Sequence, residues 1–242
     1  MHSNIKKNKN VFILGASSDI GMDVVLKFLE KGWFVFAHAN KGNKKLEKLN
    51  KFKNKIRIIK TDLSNPSKVK KLIQVVSKLN IISYVNLVGY LDNISYLQTD
   101  LKSLIKSLTI NTLAPNMVKR SLIKNMVKLK FGRILDISSI GVKYGGSEFT
   151  YNYAFSKNAL EFIPSFFKNL TKQNILTNVL RVGVVDTKLL KKIKGKNIIK
   201  RKNLIPIKRL ATTKEISNAI YNLSSDQNTY ISGEIVTISG GE

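Results

Sequence analysis

The chain has 242 residues, of which 43% are hydrophobic, so it is long enough to bury a globular core as one α/β domain. It has no cysteine and only two histidines, His2 and His38, which excludes disulfides and thiolate catalysis and makes a metal site unexpected. The net charge of +27 could attract an acidic partner (nucleic acid, anionic membrane or carrier protein), but lysines spread along nearly the whole chain without interleaved aromatics indicate compositional bias rather than nucleic-acid binding.

Short apolar runs alternate with longer segments of helical periodicity over the whole length. The runs that we predict as strands are Val11–Leu14, Trp33–Ala37, Ile56–Ile59, Ile82–Val88, Arg133–Ile137, Thr177–Arg181 and Ile235–Ile238. The segments predicted as helices are Ile20–Lys31, Pro66–Leu79, Leu101–Lys130, Tyr151–Lys172 and Lys214–Ser225. Most of the strands are continuous and β-branched, as strands buried on both faces are. The alternation predicts a seven-stranded parallel sheet with helices on both faces, a three-layer α/β/α architecture in a single domain over residues 1–242.

The first apolar run, Val11–Leu14, follows a polar N-terminal stretch. It is far shorter than the core of a signal peptide, and no other stretch approaches the roughly 20 apolar residues of a membrane span. We therefore expect a soluble, cytoplasmic protein with no membrane span.

The stretch from about 186 to 205, here called the basic segment, breaks the alternation. Between Lys188 and Lys202 it has eight basic residues and no acidic one. Like-charge crowding favours a mobile or partner-dependent excursion over a rigid helix. Because long insertions in compact α/β domains are often lids, we predict a lid-like role for the basic segment.

The first predicted strand runs into the sequence Gly15-Ala16-Ser17-Ser18-Asp19-Ile20-Gly21 and then into an amphipathic helix. A glycine-bearing turn at this place lets backbone amides approach a diphosphate, and the helix N-terminus adds unpaired N–H groups and a positive dipole. The turn therefore predicts a dinucleotide site. A tight turn without a ligand is the alternative.

A second motif, Tyr153-x-x-x-Lys157, lies on a predicted helix. Spacing of four places the phenol and the ammonium on one face. A nearby cation favours the phenolate and would lower the tyrosine pKa towards working pH, as a general acid or base needs. With eight tyrosines and so many basic residues, about one such pair is expected by chance, so the motif alone is weak.

Several further residues accompany these motifs in one fixed order. The series is the turn at residues 15–21, Asp62, Asn86-Leu87-Val88-Gly89, Asn111, Ser138-Ser139, Tyr153-x-x-x-Lys157 and Val182-Gly183-x-x-x-Thr187. In this order the chain resembles the short-chain dehydrogenase/reductase family over essentially its whole length, and it is most similar to the 3-oxoacyl-(acyl carrier protein) reductase-like branch. The resemblance implies a Rossmann-type, doubly wound fold and hydride transfer between a nicotinamide cofactor and a carbonyl or hydroxyl carbon.

The resemblance also implies a catalytic role for four side chains. Tyr153 would give a proton to the substrate oxygen during reduction, while Lys157 would lower the pKa of Tyr153 and bind the nicotinamide ribose. Ser139 would polarise the carbonyl, and Asn111 would hold a water that links Lys157 to solvent. A purely structural role is the alternative for three of these residues: Asn111 could brace a helix turn, Ser139 could end a strand, and Lys157 could be one more solvated lysine.

A larger set of residues would contact the cofactor. Those that the resemblance implies are Gly15, Ser17, Ser18, Asp19, Ile20, Gly21, Asn40, Lys41, Asp62, Leu63, Asn86, Gly89, Tyr153, Lys157, Gly183, Val185 and Thr187. Thr187 and the backbone near Val185 would anchor the carboxamide, and Asp62 and Leu63 would border the adenine, although Asp62 could instead be a turn residue. Asp19 departs from the family pattern by replacing a glycine. It could cap the helix, but it sits close to the expected diphosphate and would oppose it electrostatically.

The end of the second predicted strand indicates which dinucleotide binds. An acidic residue there would bind the ribose hydroxyls of NAD, and residues 36–41 include none. The residues that offer cationic or polar partners for a 2′-phosphate are His38, Asn40, Lys41, Lys44 and Lys45. We therefore predict NADP(H) in preference to NAD(H).

Three functional hypotheses follow. The first is reduction of a 3-oxoacyl thioester in fatty acid biosynthesis, on an acyl carrier protein that docks at Lys128, Lys130 and the basic segment. The second is the same hydride chemistry on a sugar or nucleotide-sugar in surface-glycan biosynthesis, or on a small alcohol. The third is a non-catalytic dinucleotide-binding regulatory protein. The resemblance further implies a homotetramer packed through the helices at Leu101–Lys130 and Tyr151–Lys172, with no specific nucleic-acid partner.

Overall fold

Seven strands form one sheet in a computed structural model that describes residues 9–41, 44–49, 52, 54–195 and 197–242. The strands are β1 (Asn10–Leu14), β2 (Phe34–Ala39), β3 (Ile56–Lys60), β4 (Ser83–Asn86), β5 (Gly132–Ser139), β6 (Ile175–Val182) and β7 (Ile235–Ile238). Neighbouring strands are parallel, in the order β3-β2-β1-β4-β5-β6-β7. The seven-stranded parallel sheet is confirmed. His2, Lys196 and the side chain of Lys44 lie outside the described residues.

Helices pack on both faces of this sheet. They are α1 (Asp19–Glu30), α2 (Lys44–Glu47), α3 (Pro66–Val76), α4 (Leu101–Leu108), α5 (Ala114–Leu129), α6 (Ile140–Lys143), α7 (Tyr151–Asn158), α8 (Phe167–Thr171), α9 (Lys188–Lys191), α10 (Ile198–Leu204) and α11 (Thr213–Ser224). Local chemistry sets their starts. The side chain of Asn65 accepts a hydrogen bond from the amide of Lys68 at 3.0 Å, which begins α3 at Pro66. Thr212 and Glu215 form a capping box that begins α11.

β1 shows why the strand sequences are continuously apolar. Val11 and Ile13 point into one buried cluster, which includes residues of α1 and α11. Phe12 and Leu14 point into a second cluster, which includes residues of α3 and α5. Because successive side chains of a strand point to opposite faces, a strand covered on both faces is apolar at every position. Among the described residues, no helix is long and apolar enough to cross a bilayer.

One predicted helix, Tyr151–Lys172, is wrong in extent. The chain is helical as α7 and again as α8, and residues 159–166 between them are not helical. Pro164 lies in this break. Proline has no amide hydrogen and its ring clashes with the carbonyl four residues earlier, so a helix does not run through it.

The long predicted helix Leu101–Lys130 contains a wider turn at its middle. Between α4 and α5, residues Thr109–Leu113 form a π turn in which the amide of Ala114 donates to the carbonyl of Thr109. Pro115 has no amide hydrogen to donate to the carbonyl of Asn111, four residues earlier, which accounts for the loss of regular α-helical pairing there. The π turn places Asn111 inside the protein, where it is fully buried.

Candidate active site

A cleft of about 1440 Å³ opens at the carboxyl ends of the strands. The turn after β1 and residues 87–89 after β4 form part of its wall, together with Ser138 and Ser139 at the end of β5. Tyr153 and Lys157 of α7 also line it. In doubly wound sheets a ligand binds at this edge, where the strand order reverses direction, here between β1 and β4.

The turn between β1 and α1 brings backbone rather than side chains together. Gly15 has a φ of 81°, and a Cβ on it would lie 2.9 Å from the carbonyl carbon of Leu87. A Cβ on Gly21 would lie 2.6 Å from the carbonyl oxygen of Ala16, so both positions require glycine. Ser18 caps α1 by accepting a hydrogen bond from the amide of Gly21 at 3.0 Å. The N-terminus of α1 is thereby presented to the cleft, which is the geometry of a phosphate site.

His38 is predicted to face a 2′-phosphate, and this prediction is wrong. Its side chain is 3% exposed; Nδ1 accepts a hydrogen bond from the amide of Gly15 at 3.2 Å, and Nε2 lies 2.9 Å from the carbonyl oxygen of Thr61. These two partners require a neutral ring with its proton on Nε2. Burial lowers the pKa of His38 to about 4, although the bond to Thr61 acts in the other direction. His38 therefore braces the phosphate turn from inside the protein.

Asp19 joins three segments at the rim of the cleft. Its Oδ2 accepts a hydrogen bond from the backbone amide of Lys188 at 2.8 Å, and its Oδ1 accepts one from Nζ of Lys45 at 2.9 Å. Burial would raise the pKa of Asp19, but these donors outweigh it and hold the pKa below its ordinary value. Since Ser18 caps α1, the carboxylate of Asp19 is directed to the segments after β2 and β6 instead.

Tyr153 and Ser139 meet inside the cleft. The phenol and the hydroxyl of Ser139 share a hydrogen bond, and Oγ of Ser139 also accepts one from the amide of Gly141 at 3.2 Å. Burial raises the pKa of Tyr153 to about 12, and the bond to Ser139 offsets this only in part. The phenol is consequently protonated at neutral pH.

Lys157 is held by backbone carbonyls rather than by the phenol. Its Nζ donates to the carbonyl oxygens of Val88 at 2.7 Å and Ile137 at 2.5 Å, and it lies 5.9 Å from the ring centroid of Tyr153. Burial lowers the pKa of Lys157 to about 8, while the charge of Asp136 opposes this change. Burial of the phenol dominates the pKa of Tyr153 in this arrangement, and the expectation that Lys157 lowers it stays a prediction.

Asn111 ties two walls of the cleft together. Its Oδ1 accepts a hydrogen bond from the amide of Tyr90 at 2.7 Å, and its Nδ2 donates to the carbonyl of Tyr90 and to Oγ of Ser156, each at 2.9 Å. Tyr90 follows β4, and Ser156 precedes Lys157 on α7. The side chain therefore holds the segment after β4 to α7, and a catalytic role for Asn111 stays a prediction.

An ion pair beside Ser139 was not predicted from the sequence. Glu161 accepts a hydrogen bond from Oγ of Ser138 at 2.7 Å and pairs with the guanidinium of Arg181 on β6. Burial would raise the pKa of Glu161, but the bonds from Arg181 and Ser138 outweigh it. Ser138 and Arg181 are opposite each other in the register of β5 and β6. No local pattern signals the pair, because Glu161 and Arg181 are 20 residues apart in the sequence and meet only in the folded chain.

The predicted cofactor residues fall into two groups. Those that line the cleft are Ser17, Ser18, Asp19, Ile20, Gly89, Tyr153, Lys157, Gly183, Val185 and Thr187. Those outside its described lining are Gly15, Gly21, Asn40, Lys41, Asp62, Leu63 and Asn86. Asp62 accepts hydrogen bonds from the amide and the hydroxyl of Ser64 at 2.9 and 2.7 Å, which is the turn role considered for it. Asn86 is buried and donates to Asp136 at 2.9 Å.

The basic segment lies beside the cleft and contains the helices α9 and α10, where the sequence favoured an excursion over a rigid helix. Leu190 of α9 is buried in a small apolar cluster that is separate from the two main clusters of the core. Leu189 and Tyr153 both border the open space at Gly89, where a Cβ would lie 3.6 Å from Leu189 and 3.9 Å from the phenolic oxygen. Leu189 of the segment and Tyr153 therefore both line the cleft next to Gly89.

Two further contacts hold the basic segment to distant parts of the chain. The amide of Lys194 donates to Oδ1 of Asn93, in the segment after β4, at 3.2 Å. Arg201 of α10 forms an ion pair with Glu242 beyond β7. Both contacts join residues that are far apart in the sequence, so the sequence offers no signal for them.

Comparisons with known proteins agree on one family. Residues 15–242 match a family model described as enoyl-(acyl carrier protein) reductase. FabG of Buchnera aphidicola subsp. Schizaphis graminum, a 3-oxoacyl-[acyl-carrier-protein] reductase, is 28% identical over 241 residues, which are 97% of this chain and 97% of that protein. A short-chain dehydrogenase/reductase structure from Serratia marcescens matches with a TM-score of 0.83 at 23% identity, over 96% of this chain and 97% of that one.

The chain belongs to the short-chain dehydrogenase/reductase family. Members of this family are oxidoreductases that bind a nicotinamide dinucleotide. An oxidoreductase of Bacillus subtilis named YmfI is 28% identical over 97% of this chain and 98% of its own length. The structure of ElxO with NADP bound has a TM-score of 0.84 at 24% identity, over 97% of this chain and 98% of that one. At such identities the two solved structures support the fold of this short-chain dehydrogenase/reductase and not its substrate.

Proposed function

We propose that this short-chain dehydrogenase/reductase uses NADP(H) to reduce a carbonyl to a hydroxyl, on a 3-oxoacyl thioester carried by an acyl carrier protein. The observation that carries the proposal is that Ser139, Tyr153 and Lys157 line the same cleft as the turn after β1. A bound dinucleotide would supply the hydride. The residues of the chain would hold the carbonyl in place and provide the proton.

Tyr153 is the proposed proton donor. A pKa of about 12 keeps its phenol protonated at neutral pH, which is the form that reduction requires. The hydroxyl of Ser139, which shares a hydrogen bond with the phenol, would polarise the same substrate oxygen. Once the proton has left Tyr153, the ammonium of Lys157 would stabilise the phenolate across the gap of 5.9 Å between Nζ and the ring centroid. Asn111 acts as a positioning residue, and a water held by it stays a prediction.

The residues of the cleft fit a dinucleotide that extends from α1 to α7. Gly15 and Gly21 have no room for a side chain, and the tight turn that they form presents the N-terminus of α1 to the cleft, as a diphosphate site needs. Beyond β2, Asn40 and Lys41 are exposed, and residues 34–41 include no carboxylate that could bind two ribose hydroxyls. This favours NADP(H) over NAD(H), now without a contribution from His38.

The acyl substrate is proposed from the relatives and from charge. The relative from Buchnera is named a 3-oxoacyl-[acyl-carrier-protein] reductase. Lys192, Lys194 and Lys200 of the basic segment line the cleft, and among the described residues no carboxylate is paired with them. We propose that the basic segment is a lid over the substrate and that, with Lys128 and Lys130 at the end of α5, it attracts an acidic carrier protein.

A homotetramer is part of the proposal. Leu101, Ile105, Leu113, Met117 and Phe155 are exposed apolar side chains on α4, the π turn, α5 and α7. A run of exposed apolar residues on neighbouring helices is typical of a protein interface. Sedimentation should give the mass of four chains, and Leu113→Glu should shift it to a smaller species. A mass of one chain at every concentration would rule out the tetramer.

The test of activity is NADPH consumption with an acetoacetyl thioester, followed by the fall in nicotinamide absorbance. Tyr153→Phe removes the proposed proton donor and should lower kcat by about two to four orders of magnitude. Tyr151→Phe is the matched control, because Tyr151 lies on the same helix, outside the described cleft lining, and its ring packs on Tyr96. Unchanged turnover in Tyr153→Phe would remove Tyr153 from the mechanism.

The same assay distinguishes the substrate classes. If NADPH binds without turnover of the thioester, the acyl proposal fails and a sugar or another carbonyl compound becomes the substrate to test. If a carrier-bound thioester is reduced at a rate that does not depend on salt, docking through the basic segment fails while the reductase proposal stands.

A further inference from the structure

A negative charge lies where the diphosphate of the cofactor is proposed to bind. Asp19 is the first residue of α1 and lines the cleft beside Ser17 and Ser18. The helix N-terminus stabilises a carboxylate at this position, as it would stabilise a phosphate. An anionic ligand at the same helix end would meet both the favourable helix dipole and the repulsion of Asp19.

Two hydrogen-bond donors of the cleft are engaged by this carboxylate. The backbone amide of Lys188 donates to Oδ2 at 2.8 Å, and Nζ of Lys45 donates to Oδ1 at 2.9 Å. Backbone amides and ammonium groups are the donors with which proteins bind phosphate oxygens. Lys45 and Lys188 both line the cleft, so a ligand in the cleft would have access to the same two donors.

We propose that Asp19 is an internal anion that competes with the phosphates of the cofactor for Lys45 and for the amide of Lys188, and that it lowers the affinity of the site for dinucleotides. The inference rests on the proposed function, since it requires a dinucleotide in this cleft. In the protein without cofactor, Asp19 links the segments after β2 and β6 to α1. A dinucleotide that takes over the two donors replaces that link with its own oxygens.

A structural brace is the competing explanation for the same contacts. In that role Asp19 would hold Lys45 and Lys188 in position for the ligand, and its loss would weaken binding. A competitor for the donors has the opposite effect, because its loss releases them. The sign of the change in affinity therefore decides between the two roles.

The decisive variant is Asp19→Asn, which removes the charge and keeps an oxygen that can accept the hydrogen bond from Lys188. Asp23→Asn is the matched control. Asp23 lies on the same helix and is partly buried, but it is outside the described cleft lining, so the variant makes the same change in net charge away from the site. Titration calorimetry measures equilibrium binding of NADPH and of NADH to the wild-type protein and both variants, and melting curves check that each is folded.

We expect Asp19→Asn to bind both dinucleotides about tenfold more tightly, because the variant removes the repulsion between the carboxylate and the phosphates in a partly screened site. Asp23→Asn should stay within about twofold of the wild type, because Asp23 lies outside the described cleft lining. Unchanged or weaker binding by Asp19→Asn, or an equal gain in Asp23→Asn, would overturn the inference while the proposed function stands. If Asp19→Asn does not fold, Asp19→Gly is measured against the same control.

The binding data also separate this inference from the proposed function. If the wild-type protein binds neither dinucleotide and Asp19→Asn binds both, competition by Asp19 is supported in its strongest form. If no protein binds either dinucleotide, the proposed function fails and the inference fails with it.

Discussion

Acidification from about pH 7.5 to about pH 5 should lower the free energy of unfolding by about 2 kcal/mol through His38 alone. The ring has a pKa of about 4 in the folded protein, against an ordinary value of about 6.5 in an unfolded chain. Because the folded pKa is the lower one, the unfolded chain binds more protons between these values. The contribution is complete above about pH 6.5 and is lost as the pH falls towards about 4, where the loss totals about 3 kcal/mol.

The structural cause is that His38 has no room for a second proton. Its Nδ1 accepts a hydrogen bond from the amide of Gly15, so protonation would direct two N–H groups at each other inside the core. The loss can be measured by urea unfolding at several pH values. His38→Gln cannot titrate and should show a flatter dependence on pH, whereas His2→Gln leaves His38 in place and serves as the control. Since the chain has only these two histidines, NMR can follow each ring directly.

Two results would refute this reasoning. One is a titration midpoint for His38 near the ordinary value of about 6.5. The other is a free energy of unfolding for His38→Gln that falls with acid as steeply as that of the wild type. Either would mean that the ring reaches solvent or that the Gly15 amide has another acceptor.

Three further predictions concern the core and the cleft. Lys119→Met should lower the free energy of unfolding, measured by urea unfolding, by about 3–5 kcal/mol. The variant leaves the buried carboxylate of Asp136 without the ammonium that lies 2.7 Å away. A smaller loss in Lys119→Met than in the double variant that also carries Asp136→Asn would contradict this. Gly183→Ala should lower the free energy of unfolding by about 1–3 kcal/mol, because the added Cβ would lie 2.7 Å from the Cα of Ser239. An unchanged melting temperature would show that β7 can shift to make room for it. The absorbance of ionised tyrosine, titrated with pH in the protein without cofactor, should differ between the wild type and Tyr153→Phe by one phenol that ionises near pH 12. A midpoint for this phenol at or below the ordinary value of about 10 would show that Lys157 controls its pKa.

The sheet could be predicted from the sequence because both of its faces are covered. Most positions of a covered strand are then apolar, so runs such as Val11–Leu14 stand out. The strand Ile235–Ile238 has the predicted bounds although it is a partly exposed edge strand. Helix interruptions were harder to predict. The apolar periodicity continues across Pro164 and Pro115, and it hides the break after α7 and the π turn at Asn111. Proline was the available signal in both places.

Within the site, the sequence could predict which residues lie together, but it could not predict their burial or their pKa values. Ser139, Tyr153 and Lys157 line one cleft, as the resemblance based on the order of the motifs implied. The sequence could not show that burial would raise the pKa of Tyr153, nor that His38 would face inward. Both depend on what lies around a side chain in three dimensions, and neighbours in space such as Gly15 and Thr61 are remote in sequence.

The bond between the Lys188 amide and Asp19 joins residues 169 positions apart. During synthesis, α1 and the turn at Gly15 leave the ribosome long before α9 is synthesised. The wall of the cleft that contains α9 can therefore form only after the wall that contains the phosphate turn. Contacts of such long sequence separation form late, because the chain between them has to be ordered first. A nascent chain that has completed β1 to β5 should therefore bind dinucleotide poorly even though its phosphate turn is present, and the cleft would be completed among the last steps of folding.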